Sequence, residues 1–264
     1  AGRRERPDDA RSDAVILRPF LYEPTSCASY LFGCPTHGRL AVVDPHEALV
    51  DEYLAAAGRV GRPIVAVLET HVQADHVSGM AALVEATGAT AYLPAGADVS
   101  FPHHPLSDGE RLDLGNSVVT ALATPGHAPA HAALLVADRR RGTEEPWLAF
   151  TGDSLLVGDV GRPDLHGGDP PAMARTLHAS LERLMALPDH VLVYPSHYGG
   201  SVCGRGLSGN PFSTIGFERR HNRALAHADA AAFAEALLAD TPPPPPDQAA
   251  IVAANRAGGV AARA

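Results

Sequence analysis

Four short polar clusters each stand directly behind an apolar run. THVQADH (70–76) follows IVAVLE, TPGH (124–127) follows SVVTALA, TGD (151–153) follows PWLAF, and PSH (195–197) follows HVLVY. Apolar runs of this length bounded by turn residues read as strands. Loops that leave the ends of neighbouring strands converge on one rim of a sheet, where a cleft can form. One histidine behind a strand is an ordinary structural event. Four His- or Asp-bearing loops in this order point to a shared metal centre.

The rest of the chain supplies the frame. Residues 14–45 alternate apolar runs with Gly, Pro and polar breaks, the pattern of several short strands. Leu49, Val50, Tyr53, Leu54 and Ala57 recur at helical spacing up to Gly58, and IVAVLE then reads as a strand buried on both faces, so a parallel crossover is expected. A second helix is expected from an N-cap at Ser78, with Met80, Leu83, Val84 and Thr87 on one side and a stop at Gly88. Short strands over roughly 90–151 read as a second sheet. A helix starting at Asp169-Pro170 carries Met173, Leu177, Leu181 and Leu184. Residues 221–239 read as an Ala-rich helix, and the prolines at 241–246 as an extended segment before a short final helix. The domain reading is a loose arm at 1–12, a catalytic α/β domain at 13–240 made of two strand layers flanked by helices, and a Pro-rich segment with a helical tail at 241–264.

Composition narrows the function. The 264 residues are 45% hydrophobic, enough for a sizeable core, and the net charge of -9 offers no basic field for nucleic acid or anionic lipid. No apolar stretch approaches the roughly 20 residues that span a bilayer, so neither a membrane nor a nucleic-acid partner is expected. Cys27, Cys34 and Cys203 form no CxxC pair, which argues against a disulfide framework and a thiolate zinc site and for a reducing, cytoplasmic setting. Of the 14 histidines, His37, His46, His103, His104, His166, His178, His190, His221 and His227 stand in no ligand spacing and read as surface or structural imidazoles.

The strings THVQADHVSG, TPGH, FTGDSL and YPSH resemble the metal-binding motifs of the metallo-β-lactamase superfamily, over nearly the whole chain. The resemblance implies an αββα sandwich. The superfamily's first signature, H-x-H-x-D-H, falls on His71, position 73, Asp75 and His76, and the second histidine is here Gln73, a far weaker donor than imidazole. A two-zinc hydrolase of the glyoxalase II type would need that imidazole beside His71 and His127. What remains is His71, His127 and Asp153, two imidazoles and one carboxylate, the facial set that leaves open positions on non-heme iron(II). SCASYLFG, LLVGDVGRPDL and GGSVCGRGLSGNPFSTIGFERRHN resemble the persulfide dioxygenase branch, particularly the form fused to a rhodanese domain.

The resemblance implies a mononuclear iron(II) dioxygenase that oxidises a small-thiol persulfide, such as glutathione persulfide, to sulfite and free thiol. Iron is expected on His71, His127 and Asp153. Asp75, His76 and His197 are expected to orient the ligands or to hold a second metal, zinc being the alternative ion. Arg162, Tyr198, Arg219 and Arg220 are the candidates for the carrier's carboxylates, although Arg162 can instead pair with Asp164 and the other two arginines can be solvated helix charge. The expected partners are the persulfide, dioxygen, a separate rhodanese-type sulfurtransferase and a second copy in a homodimer. The rival functions are a zinc thioester hydrolase of glyoxalase II type and a non-catalytic binding protein on the same fold.

Overall fold

A computed structural model describes residues 15–239, 241, 243–245 and 247–258. The expected N-terminal arm and part of the Pro-rich segment lie outside these residues. Strands β1 (Ile16–Tyr22), β2 (Cys27–Cys34) and β3 (Arg39–Val43) form an antiparallel meander. Helix α1 (Val50–Val60) returns the chain to β4 (Ile64–Leu68), parallel to β3, and α2 (Met80–Thr87) returns it to β5 (Thr90–Pro94), parallel to β4. β6 (His104–Leu106) closes this six-stranded sheet.

The second sheet holds β7 (Arg111–Leu114), β8 (Ser117–Ala123), β9 (Ala132–Asp138) and β10 (Leu148–Gly152), all antiparallel neighbours. Helix α3 (Pro170–Met185) then leads to β11 (Leu192–Pro195), parallel to β10, and β12 (Ser213–Thr214) edges the sheet. Helices α4 (Ile215–His221), α5 (Ala230–Ala239) and α6 (Gln248–Arg256) complete the chain.

Side-chain alternation with a period of two explains the layers. On β2, Ala28, Tyr30 and Phe32 face the other sheet, where they meet Leu134, Val136 and Phe150, while Leu31 points the opposite way to Tyr53 of α1 and Leu83 of α2. On β10, Leu148 and Phe150 face inward, and Ala149 packs outward against Ala174 and Leu177 of α3. Strands buried on both faces must be apolar throughout, which is why these runs show little alternation in sequence. The result is the αββα sandwich.

Four local expectations change. Helix α1 runs through Gly58 and stops at Gly61, whose left-handed backbone (φ 68°) lets its N–H reach the carbonyls of Ala57 and Gly58. The second sheet begins at β7, because the α2 crossover returns β5 to the first sheet. The Ala-rich stretch at 221–239 is broken: Asn222 caps a short 3-10 turn at 223–226 by accepting from the Ala224 N–H, and Asp229 accepts from the N–H groups of Ala231 and Ala232 to start α5 afresh. The final helix is also no free tail. Asn255 of α6 donates to the carbonyls of Gln73 and His76 (2.9 and 2.8 Å) and accepts from the Ser78 N–H, so it holds the loop behind β4.

Candidate metal centre

The loops behind β4 and β11 are tied together by Asp44, which follows β3 in a left-handed conformation (φ 48°). Its buried carboxylate accepts from the Thr70 N–H (2.7 Å), the Thr70 hydroxyl, the Ser196 hydroxyl (2.5 Å) and the Gln73 amide (3.3 Å). A buried carboxylate in the interior is tolerated because its lone pairs are all used. The Ala132 N–H donates to the Thr70 carbonyl, which joins this rim to the second sheet.

His71, His127 and Asp153 are all buried: His71 and His127 stand in one group of possible ligands, and Asp153, in a neighbouring group with His197, reaches His127. The Thr70 hydroxyl gives its proton to Asp44, so it accepts from His71 Nδ1 (2.9 Å); His127 Nδ1 donates to the Arg162 carbonyl (2.8 Å). Each ring is thereby fixed in the tautomer that leaves Nε2 with a free lone pair, the arrangement that outer hydrogen bonds give to metal-binding imidazoles. His127 Nε2 is 3.5 Å from Asp153 Oδ2, and that oxygen has no hydrogen-bond partner although buried. Burial, reinforced by the neighbouring imidazoles, holds His71 well below the usual histidine range, and burial lowers His127 against the pull of Asp153. Neutral rings with free Nε2 atoms beside an orphaned carboxylate oxygen are a donor set that fits a divalent metal.

Two glycines make the approach. A Cβ at Gly161 would strike the Asp153 carbonyl and lie 2.9 Å from His127 Nδ1, so only glycine lets the Arg162 carbonyl reach that ring. At Gly152 (φ 54°) a Cβ would run into His131 Nε2. His131 is spent on structure: Nδ1 faces the hydroxyls of Thr124 and Ser154, and Nε2 accepts from the Asp153 N–H.

Gln73 is buried with its Nε2 turned to two carboxylates, Asp44 (3.3 Å) and Glu69 (3.2 Å). Beside the first group lies a second, of Cys27, Asp75, His76 and His197. His197 bridges them: Nδ1 is 2.6 Å from Asp153 Oδ1 and Nε2 is 2.6 Å from Asp75 Oδ2. Burial lowers the His197 imidazole, but Asp153 and Asp75 outweigh it and raise it well above the usual value. Asp75 Oδ1 meets His76 Nδ1 at 3.0 Å, and His76 Nε2 is buried without a partner.

The Cys27 thiol is free, as the absence of a CxxC pair implied, and it joins the second group. It lies 3.5 Å from both His76 Nδ1 and His197 Nε2, where burial raises the thiol but the two imidazoles outweigh it. Cys203 stands with Asp153 and His197. Cys27 arrives from β2, far away in the chain from its partners, so no spacing announces it. His166 is likewise no bland imidazole, because it joins His71 and His127. His46 does play the structural part expected, accepting the Ala48 N–H on Nδ1.

The four candidates for the carrier separate. Arg162 is 4% exposed and forms a two-pronged bond with Asp164 (2.8 and 2.7 Å), so its guanidinium is engaged in structure. Arg219 bonds the carbonyls of Met185 and Leu187 and the carboxylate of Asp189, at the end of β11 opposite His197. Arg220 is exposed on the same helix. Only Tyr198 remains beside the site, its hydroxyl buried without a partner. A groove of about 620 Å³ runs between Asp98–Ser100, Leu165–Gly167 and α6, with Arg256 in its lining and His166 as its point of contact with the His71 and His127 group.

Fold, motif order and donor set define a metallo-β-lactamase-type metal protein. Residues 22–197 match the metallo-beta-lactamase superfamily, and the chain belongs to it. It is 37% identical over 173 residues to a hydroxyacylglutathione hydrolase of Polaromonas sp., covering 64% of this chain and 61% of that protein. It is 27% identical over 201 residues to the mitochondrial persulfide dioxygenase ETHE1 of Bos taurus, covering 75% of this chain and 74% of that one. The crystal structure of ETHE1 from Myxococcus xanthus superposes with a TM-score of 0.80 at 32% identity, covering 92% of this chain and 99% of that chain. The chain thus spans about three fifths of the hydrolase and nearly all of the Myxococcus protein. No helix among the described residues is long and apolar enough to cross a membrane.

Proposed function

We propose that this chain is an iron(II) dioxygenase that oxidises a small-thiol persulfide to sulfite and thiol. The observation that carries the reading is Gln73. The position where the superfamily signature has a histidine holds an amide whose Nε2 is committed to Asp44 and Glu69 and whose Oε1 is a weaker donor than imidazole, while His71 and His127 are tied back through Nδ1 and Asp153 Oδ2 is buried without a partner. These three would hold the ion, and bound iron(II) would supply the redox chemistry and open positions for sulfur and dioxygen. The likeness to ETHE1 over both whole chains supports the same reading.

The stoichiometry balances as persulfide, dioxygen and water giving thiol, sulfite and two protons. The S–S bond breaks, the sulfur pair loses four electrons in total, and dioxygen takes four. The chain's own part is to place the ligands and to receive protons. His197, held between Asp153 and Asp75, is the group placed to pass a proton between the metal ligands and the second cluster. The carrier's place is the groove beside His166, where a carboxylate of the carrier would have to compete with Asp98 for the half-exposed Arg256 guanidinium.

A second reading, a zinc thioester hydrolase, is favoured by the intact Asp75, His76 and His197 cluster and by the hydroxyacylglutathione hydrolase likeness. Oxygen uptake and sulfite release with glutathione persulfide separate the two. Stoichiometric oxygen and sulfite by the iron-loaded protein is the expected result. S-lactoylglutathione hydrolysis that proceeds without oxygen, with no sulfite from any persulfide tried, would give the hydrolase reading its case.

A further inference from the structure

His166 lies outside every recognised motif, in the loop between β10 and α3, yet it meets the two imidazoles of the first cluster. One donor atom from each of His71, His127 and His166 lies within 4.8 Å of the others. The ring centroids are 4.9 Å apart for His71 and His127, 5.4 Å for His127 and His166, and 6.0 Å for His71 and His166. With metal–nitrogen bonds of about 2.1 Å, each ring centre stands about 3.2 Å from a shared ion, so ring centroids are about 4.5 Å apart for ligands at a right angle and about 6.4 Å apart for opposite ligands. The observed triangle falls within that range.

The state of the nitrogens separates His166 from its neighbour His131, whose ring is as close to His71 (5.0 Å). Both nitrogens of His131 are engaged in protein hydrogen bonds. His166 Nε2 is buried and has no partner. An imidazole nitrogen left unpaired in the interior costs the full desolvation of that group, so such an atom asks for a ligand. A water could fill that role, but a water would give no reason for three rings to converge with their donor atoms facing one another.

We propose that His166 is a ligand of the metal, supplying from a different loop the third imidazole that position 73 lacks. The centre then has His71, His127, His166 and Asp153 around the ion, and an octahedral ion keeps two positions open, one for the substrate sulfur and one for dioxygen. Because His166 also lines the groove at Leu165–Gly167, the ligand forms the floor of the route by which the substrate arrives. The proposal rests on the metal-site reading above, and the test below tells the two apart.

The iron(II)-loaded protein is prepared without oxygen, and X-ray absorption at the iron edge counts its imidazoles. The expected count is three in the wild type and two in both His166→Ala and His166→Gln. Iron affinity, measured by competition with a chromogenic chelator, should fall by more than about 100-fold in both variants, beyond the loss typical of an outer partner. Should either variant fail to fold, the wild-type count decides alone. Two imidazoles in the wild type, or unchanged affinity in folded His166 variants while His127→Ala loses its iron, would overturn the role of His166 and leave the centre in place. Unchanged iron in both His127→Ala and the His166 variants would overturn the site itself.

Discussion

Glu69 and Asp44 are two buried carboxyls that share the amide of Gln73. Burial, reinforced by the Asp44 charge, pushes Glu69 up to about 8. A carboxyl whose folded value lies above its unfolded one, 4.5, gives stability that is fully present below the unfolded value and lost as pH rises through the folded one. The metal-free protein should therefore lose stability as pH rises from about 4.5 to about 8, and Glu69→Gln should flatten that loss. Urea midpoints of both proteins over this range test it, and parallel curves would speak against a protonated Glu69. Gln73 itself should be replaceable. Gln73→Ala removes a donor to two carboxylates, so iron content after purification should stay near one per chain, with activity down by about 10 to 100-fold. Complete loss of iron would make the amide a ligand.

At the scale of elements, α6 is the unexpected contributor. Asn255 satisfies two carbonyls and one N–H of the loop that carries Gln73, Asp75 and His76, and it is buried. Replacing it by alanine leaves those backbone groups without partners, which costs about 1–3 kcal/mol for each one that water does not reach. Asn255→Ala should speed hydrogen exchange in α6 and in residues 73–78 together, and it should weaken iron binding without changing the ligand set. Protection unchanged in the 73–78 loop would show that the helix merely rests there. The sequence reading had this helix as a tail, because nothing in DQAAIVAANR says where its one buried amide points.

For the whole molecule, an ion held by these residues would link the two sheets. His71 leaves the first sheet, while His127 and Asp153 leave the second; the His71 and His127 rings have centroids 4.9 Å apart, and His127 Nε2 lies 3.5 Å from the unpartnered Asp153 Oδ2. A ligand that binds only the folded state stabilises it by about 2.7 kcal/mol at a hundredfold excess over its dissociation constant. Removing metal with a chelator should lower the melting temperature, and iron(II) added back without oxygen should restore it. An unchanged melting curve would mean that the seam is held by packing and hydrogen bonds alone.

The apolar runs, the glycine stops and the four polar clusters were enough to read the αββα sandwich and to bring His71, His127, Asp153, Asp75, His76 and His197 to one rim. Each of these lies in a loop that directly follows a strand, and the two stacked sheets bring those strand ends to the same rim. Tertiary structure alone brought Asp44, Cys27, His166 and Asn255 to the same place. Their partners are tens to hundreds of residues away in the chain, so no local spacing records the contact. It also removed Arg219 from the site, because a charge on a helix surface reads the same whether it faces a substrate or three backbone carbonyl and carboxylate oxygens at the far end of a strand. Periodicity determines which face of an element is buried; only the packing of the two sheets decides which distant side chains share the space between their rims.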